Sequence, residues 1–130
     1  MPGCVLHVSG EDFDVDAFLE GSDLRASRVH HRGEPNRAQT FPDSGFSLDV
    51  SDVDGDLKAE IADAIQFLYA HEADLLRLRG FAGVSDMRLD FGYYRRDVVG
   101  QFDYLPPSLI ALAGRCGIGI ELSLYATPTT

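Results

Sequence analysis

Two acidic runs in the first half of the chain have the residue types for calcium chemistry. The stretch "DVSDVDGDLKAE", Asp49 to Glu60, holds four aspartates, a glutamate and one glycine. A helix–loop–helix calcium loop needs oxygen ligands at positions one, three, five and twelve, with glycine at six. Placing Gly55 at six puts Asp52 and Asp54 at three and five, but leaves Val50 at one and Ile61 at twelve. Both end ligands are lost, so the acids read as the front of a helix. There, Asp54 or Asp56 would cap free N–H groups and complement the positive end of the dipole. The run beginning at Asp12 fits better. Asp12, Asp14, Asp16 and Asp23 fall at positions one, three, five and twelve, with Glu20 at nine. Position six is Ala17, which resists the positive φ of that turn, and a strand precedes the run. A capped helix with an acidic face is the plainer reading; calcium on Asp12, Asp14, Asp16 and Asp23 is the alternative.

The nitrogen and sulfur ligands are sparse. His30 and His31 are adjacent in a predicted strand, so their side chains point to opposite faces. His7 and His31 could meet, beside Cys4, only if their strands were neighbours. Zinc sites usually have tighter ligand spacing than this, so no metal and no cofactor is expected. No Gly-x-Ser-x-Gly elbow is present. "GRCGIG" follows a helix and precedes a strand, the reverse of a phosphate-cradling loop. No catalytic residue is assigned, and the balance leans away from an enzyme.

The segment "FGYYRRDVVGQFDY" is the best binding candidate. Tyr94, Arg95 and Arg96 end a strand, and Phe102 and Tyr104 open the next helix. Tyrosine and arginine dominate binding hot spots. Strand alternation turns Tyr93 inward and Tyr94 outward. The competing reading is a tyrosine pair at the sheet edge, with the arginines neutralised by Asp97 and Asp103. Glu72 falls on the helix face of Leu68 and Leu75; it reaches the edge of the core or, if buried, pairs with Arg88 or Arg115.

These residues need a scaffold. Val5–Val8 reads as a strand, "EDFDVDAFLEG" as a short helix, "LRASRVHHR" as a strand and "GEPNRAQTFPDSG" as a loop. "GFSLDVS" alternates Phe46, Leu48 and Val50 against Ser47, Asp49 and Ser51. Leu57, Ile61, Ile65, Leu68, Leu75 and Leu76 recur at helical spacing, predicting one helix from Leu57 to Arg79, stopped by Gly80. "DMRLDFGYYRR" is a strand, "LPPSLIALAGRCG" a helix, and "GIGIELSLYA" a last strand with its apolar face inward. The tail from Thr127 to Thr130 reads as loose. The order β-α-β-β-α-β-α-β, with alternating rather than continuously apolar strands, predicts one α+β domain over residues 1–130. It has a mainly antiparallel sheet of about five strands, a ferredoxin-like variant with helices on one face.

Composition narrows the partners. The 130 residues carry a formal charge of −10. Residues 1–63 hold 14 acids against 5 bases, and residues 64–130 hold 7 against 6. Phosphate backbones, and so nucleic acid, are disfavoured, and a protein with a basic face is favoured. No apolar run is long enough for a membrane span. Nothing ahead of Cys4 has the make-up of a signal peptide. Two distant cysteines read as buried thiols in a reducing cytoplasm.

The motifs "VSGEDFDVDAFL", "HRGEP", "SGFSLDVS" before a long helix, and "LPPSLIALAGRCGIGIELSLYA" resemble a bacterial family of small domains of unknown function (the family 4279 type), from Cys4 to Tyr125. The resemblance implies a bacterial cytosolic α+β protein and carries no site residue. The expected function is a non-enzymatic binding module, of immunity type, that takes a basic protein partner. The alternative is a small-molecule sensor or enzyme with a pocket near Tyr94, Arg96 and Tyr104. A third reading is a homodimer formed through the open sheet face.

Overall fold

The computed structural model describes residues 3–127. Its elements are β1 (Cys4–Gly10), α1 (Val15–Glu20), β2 (Arg28–His30), β3 (Pro35–Asn36), β4 (Gln39–Thr40), β5 (Ser44–Ser51), α2 (Leu57–Ala70), α3 (Glu72–Arg79), β6 (Asp86–Tyr94), α4 (Pro107–Arg115) and β7 (Gly119–Tyr125). Five strands form one sheet in the order β2-β5-β1-β6-β7. All pairs are antiparallel except β6–β7. The class is α+β with a mainly antiparallel sheet. This order is mixed and does not carry the finer ferredoxin-like expectation. Among the described residues, no helix is long and apolar enough to cross a membrane.

Register explains the layering. Leu6 stands opposite Leu48 and Leu89, and Val8 opposite Phe46 and Met87, so the apolar halves of three strands share one face. Residues from all four helices join these side chains in a single core. Phe18 of α1 stacks on Phe46 at 6.2 Å. Arg77 of α3 lies 4.2 Å over the Phe18 ring and donates to the Phe18 and Gly21 carbonyls, which ties the two short helices together. The other face of the sheet is polar, with Arg28 paired to Asp49 and Arg88 to Asp86 and Glu121.

Four expectations need correction. The predicted 57–79 helix is two helices, broken at His71 (φ −116°, ψ 20°). Buried Ile61, Ala64, Leu68, Leu75 and Leu78 follow a spacing that calls for an apolar residue at 71. The chain has histidine there, and its ring rests on Phe67 at 4.8 Å. The 33–45 loop holds the small β3–β4 hairpin, turned through Arg37 at φ 58°. β1 runs on to Gly10 because β6 pairs with it through Ser9 and β5 through Gly10. The apolar face of β7 is not wholly inward: cover fades from buried Ile118 to Leu122 and Leu124, 42% and 46% exposed, at the sheet edge. Of the tail read as loose, only Thr127 lies within the described residues; its hydroxyl donates to the Arg95 carbonyl.

Candidate functional site: an aromatic groove at the end of β6

A groove of about 650 Å³ opens where β6 ends, α2 begins and the 95–106 segment crosses between them. Tyr93, Tyr94 and Arg96 come from the β6 end, Leu57, Lys58 and Ile61 from α2, and Phe102, Asp103, Tyr104 and Pro106 from the crossing segment. The acidic stretch Asp49–Glu60 builds one wall. Asp56 caps α2, its Oδ1 accepting from the Ala59 N–H at 3.2 Å. Asp54 takes the other duty and accepts from the Tyr94 hydroxyl at 2.9 Å. Between them Gly55 turns at φ +78°, with an added Cβ placed 2.4 Å from the Tyr94 ring. Glycine is needed here both for its backbone conformation and for the ring's seat.

The opposite wall is held by a polar network. Asp103 accepts from the Tyr93 hydroxyl (3.1 Å), Arg96 (3.4 Å) and Gln101 (3.1 Å), while the Arg96 N–H donates to Gln101 at 2.8 Å. Desolvation and the bond to Asp103 push the Tyr93 phenol up; the bond to Asp54 does the same for Tyr94. Both tyrosines therefore stay protonated, as donors. Phe102 and Tyr104 have no such cover and are 88% and 74% exposed.

The five residues singled out from sequence divide. Tyr94, Arg96, Phe102 and Tyr104 converge on the groove. Arg95 does not; it lies in a separate hollow with Arg96, Asp97 and Thr127, and its N–H donates to the Tyr125 carbonyl. Phe102 and Tyr104 do not open a helix, because α4 starts only at Pro107. Tyr93 packs inward and Tyr94 outward, as alternation requires. The α2 wall was not anticipated, although Gly55 and Lys58, the only lysine of the chain, mark it in the sequence.

Behind this wall, one residue from Ile61, lies Glu60. It is fully buried, and among the described residues neither carboxylate oxygen has a hydrogen-bond partner. The nearby Gly92 N–H is committed to the Gly3 carbonyl at 2.8 Å. Burial, and then the charges of Asp56 and Asp90, raise the Glu60 carboxyl to about 7. The same burial, followed by the charges of Glu60, Asp90 and Asp63, pushes the Cys4 thiol far up. Cys4 is thus held as an inert thiol.

The acidic run from Asp12 to Asp23 is dispersed. Asp14 caps α1 through the Ala17 N–H, and Asp12 faces Arg32 at 3.7 Å. Asp16 accepts from His31 at 2.8 Å. The Asp23 N–H donates to Asp74. Among the described residues no three His, Cys, Asp or Glu side chains are grouped to hold a metal ion. His7 and His31 are not on neighbouring strands, since β1 lies between β5 and β6. Glu72 reaches the edge of the core and pairs with Arg115 at 2.9 Å.

His31 is clamped between two carboxylates, Asp16 on Nε2 and Glu34 on Nδ1. The Asp16 bond and then the Glu34 bond raise its pKa above the ordinary imidazole value. A raised folded value contributes stability below the unfolded pKa, and that stability is lost as pH rises through the folded value. In an NMR titration, His31 should lose its proton at a higher pH than a free imidazole. The double variant Asp16→Asn, Glu34→Gln should return it to the ordinary value; a His31 midpoint unchanged in that variant would refute the clamp.

No family model, curated protein or solved structure matches the chain.

Proposed function

We propose that the protein is a non-enzymatic cytoplasmic binding module, of immunity type, that seats a basic segment of a protein partner in the aromatic groove. One observation carries the reading: two aromatic rings stand almost fully in solvent at the mouth of an apolar groove. Exposed aromatic surface of this kind marks interaction sites. Charge selects the partner. Asp52, Asp54 and Asp56 are exposed along the α2 rim, within a chain of net charge −10. Arg96 is already tied to Asp103, and against the one remaining cation of the lining, Lys58, the three rim acids leave negative charge to meet an incoming cation. Tyr93, Arg96 and Gln101 are paired to Asp103, and Tyr94 to Asp54, an arrangement suited to binding rather than to proton transfer. Both cysteines are buried and free, in keeping with a reducing compartment.

The test uses synthetic peptides alternating Arg or Lys with Leu or Trp, against a matched Glu series, titrated calorimetrically at low salt. The basic series should bind. The double variant Phe102→Ser, Tyr104→Ser should weaken it by about tenfold or more, the scale of hot-spot loss. Equal binding of the acidic series, or no effect of the variant, would sink the proposal. The groove volume also lies within the roughly 300–1,000 Å³ of small-molecule sites. Fragment binding that shifts the NMR signals of Tyr94, Arg96 and Tyr104, without peptide binding, would favour a small-molecule sensor or enzyme instead.

A further inference from the structure

Strand β7 is an edge of the sheet: among the described residues its one strand neighbour is β6. Its backbone polarity follows from one bond. The Tyr125 carbonyl accepts from the Arg95 N–H, beside the Tyr94–Tyr125 pair. Tyr125 therefore turns its main chain toward β6, and so do Ser123, Glu121 and Gly119 by alternation. The N–H and C=O groups of Ile120, Leu122 and Leu124 point the other way, out from the edge. The same three side chains lie on the helix side of the sheet, in register with Leu89, Phe91 and Tyr93. Leu122 and Leu124 are 42% and 46% exposed there. Natural edges are usually blunted by lysine, proline or a bulge. The β7 sequence "GIELSLY" has neither residue, and its register is unbroken. The opposite edge, β2, is only three residues long.

We infer that β7 pairs antiparallel with β7 of a second copy of this chain, joining two sheets across a two-fold axis. Charge supports this occupant. The only charged residue of β7 is Glu121, which pairs with Arg88 at 3.2 Å. The strand also lies in the half of the chain that is nearly balanced in charge. Two identical copies can therefore meet on this edge without opposing their acidic halves. Charge also selects the register. Outward-bonding residues must face one another, so Ile120, Leu122 and Leu124 pair among themselves. Centring the axis on Glu121 would place two glutamates directly opposite, which is destabilising. Centring it on Leu122 sets Leu122 against Leu122, Ile120 against Leu124, and Glu121 against Ser123. That register gives an apolar ladder on the helix side and no facing like charges.

Sedimentation of the intact chain at near-physiological salt, over a range of concentrations, tests the pairing. The expected species at high concentration has twice the 14.2 kDa chain mass. Leu122→Lys and, separately, Leu124→Lys should be monomeric with an unchanged circular dichroism spectrum, because both positions are exposed. Under oxidation, Leu122→Cys should cross-link to itself faster than Glu121→Cys or Ser123→Cys; native Cys4 and Cys116 are buried. A chain that stays monomeric throughout, or a dimer that survives both lysine variants, overturns the inference. Faster cross-linking through Glu121→Cys or Ser123→Cys overturns the register.

Discussion

At pH 8, Glu60→Met is expected to unfold at higher urea than the parent protein, by about 3 kcal/mol more than it does at pH 4.5. The size comes from the carboxyl, which titrates at about 7 in the fold against an ordinary 4.5. The sign follows from proton counting. Between these two values the unfolded chain has released the Glu60 proton and the folded chain still holds it. Stability is therefore full below the ordinary value, falls as pH rises toward 7, and levels off above it. Methionine removes the proton from both states and keeps the helix-forming, unbranched shape. The titratable groups interacting with Glu60 among the described residues are Asp56 at the N-cap of α2, Asp90 and Tyr93 of β6, and Cys4 of β1, and none is a cation that could compensate it. Glu60→Gln should also lose the pH dependence, while retaining a buried polar group. A difference between variant and parent that stays flat from pH 4.5 to 7.5 would show that Glu60 is solvated or paired. The turn made costly by this charge is the one that lines the groove, so the α2 wall is least stable above neutrality.

Gly10→Ala should destabilise the fold by at least about 3 kcal/mol, beyond ordinary overpacking, because no side-chain rotation can relieve it. An added Cβ would lie 1.7 Å from the Gly83 carbonyl oxygen and 2.8 Å from its carbon. Gly83, at φ +89°, is itself pressed against the Asp12 backbone. The turn after β1 and the turn before β6 thus meet main chain to main chain, pinned by the Ser85 N–H donating to the Ser9 carbonyl at 2.9 Å. Gly114→Ala is the matched control. It lies within α4 with nothing near its Cβ, and should stabilise by roughly 0.5–1 kcal/mol. Urea melts of both variants decide the matter; near-parental stability of Gly10→Ala would contradict the close approach.

The groove was half legible before folding. "YYRR" and "QFDY" lie within a dozen residues, and their types alone nominated Tyr94, Arg96, Phe102 and Tyr104. Local alternation also set which tyrosine faces the core. What sequence could not supply was the partner wall, because α2 begins some forty residues earlier and only the placing of β5 beside β1 and β6 beside its other flank brings it there. Arg95 was lost for a similarly non-local reason: its main chain is taken by Tyr125.

By itself, the sequence determined the local elements, since alternation, caps and turn glycines act over a few residues. It settled the α+β class, the inward faces of β5 and β6, and an aspartate cap on α2, while the choice of Asp56 over Asp54 came from the structure. Tertiary structure alone decided which helix face is deepest. Glu60, Ala64 and Leu68 stand four apart and are all fully buried, whereas Leu57 and Ile65, more apolar on paper, are only partly covered. The reason is that burial depends on where the neighbouring elements sit. A side chain's polarity states a preference for water, but the sheet beneath α2 and the bare edge at β7 determine whether water reaches it.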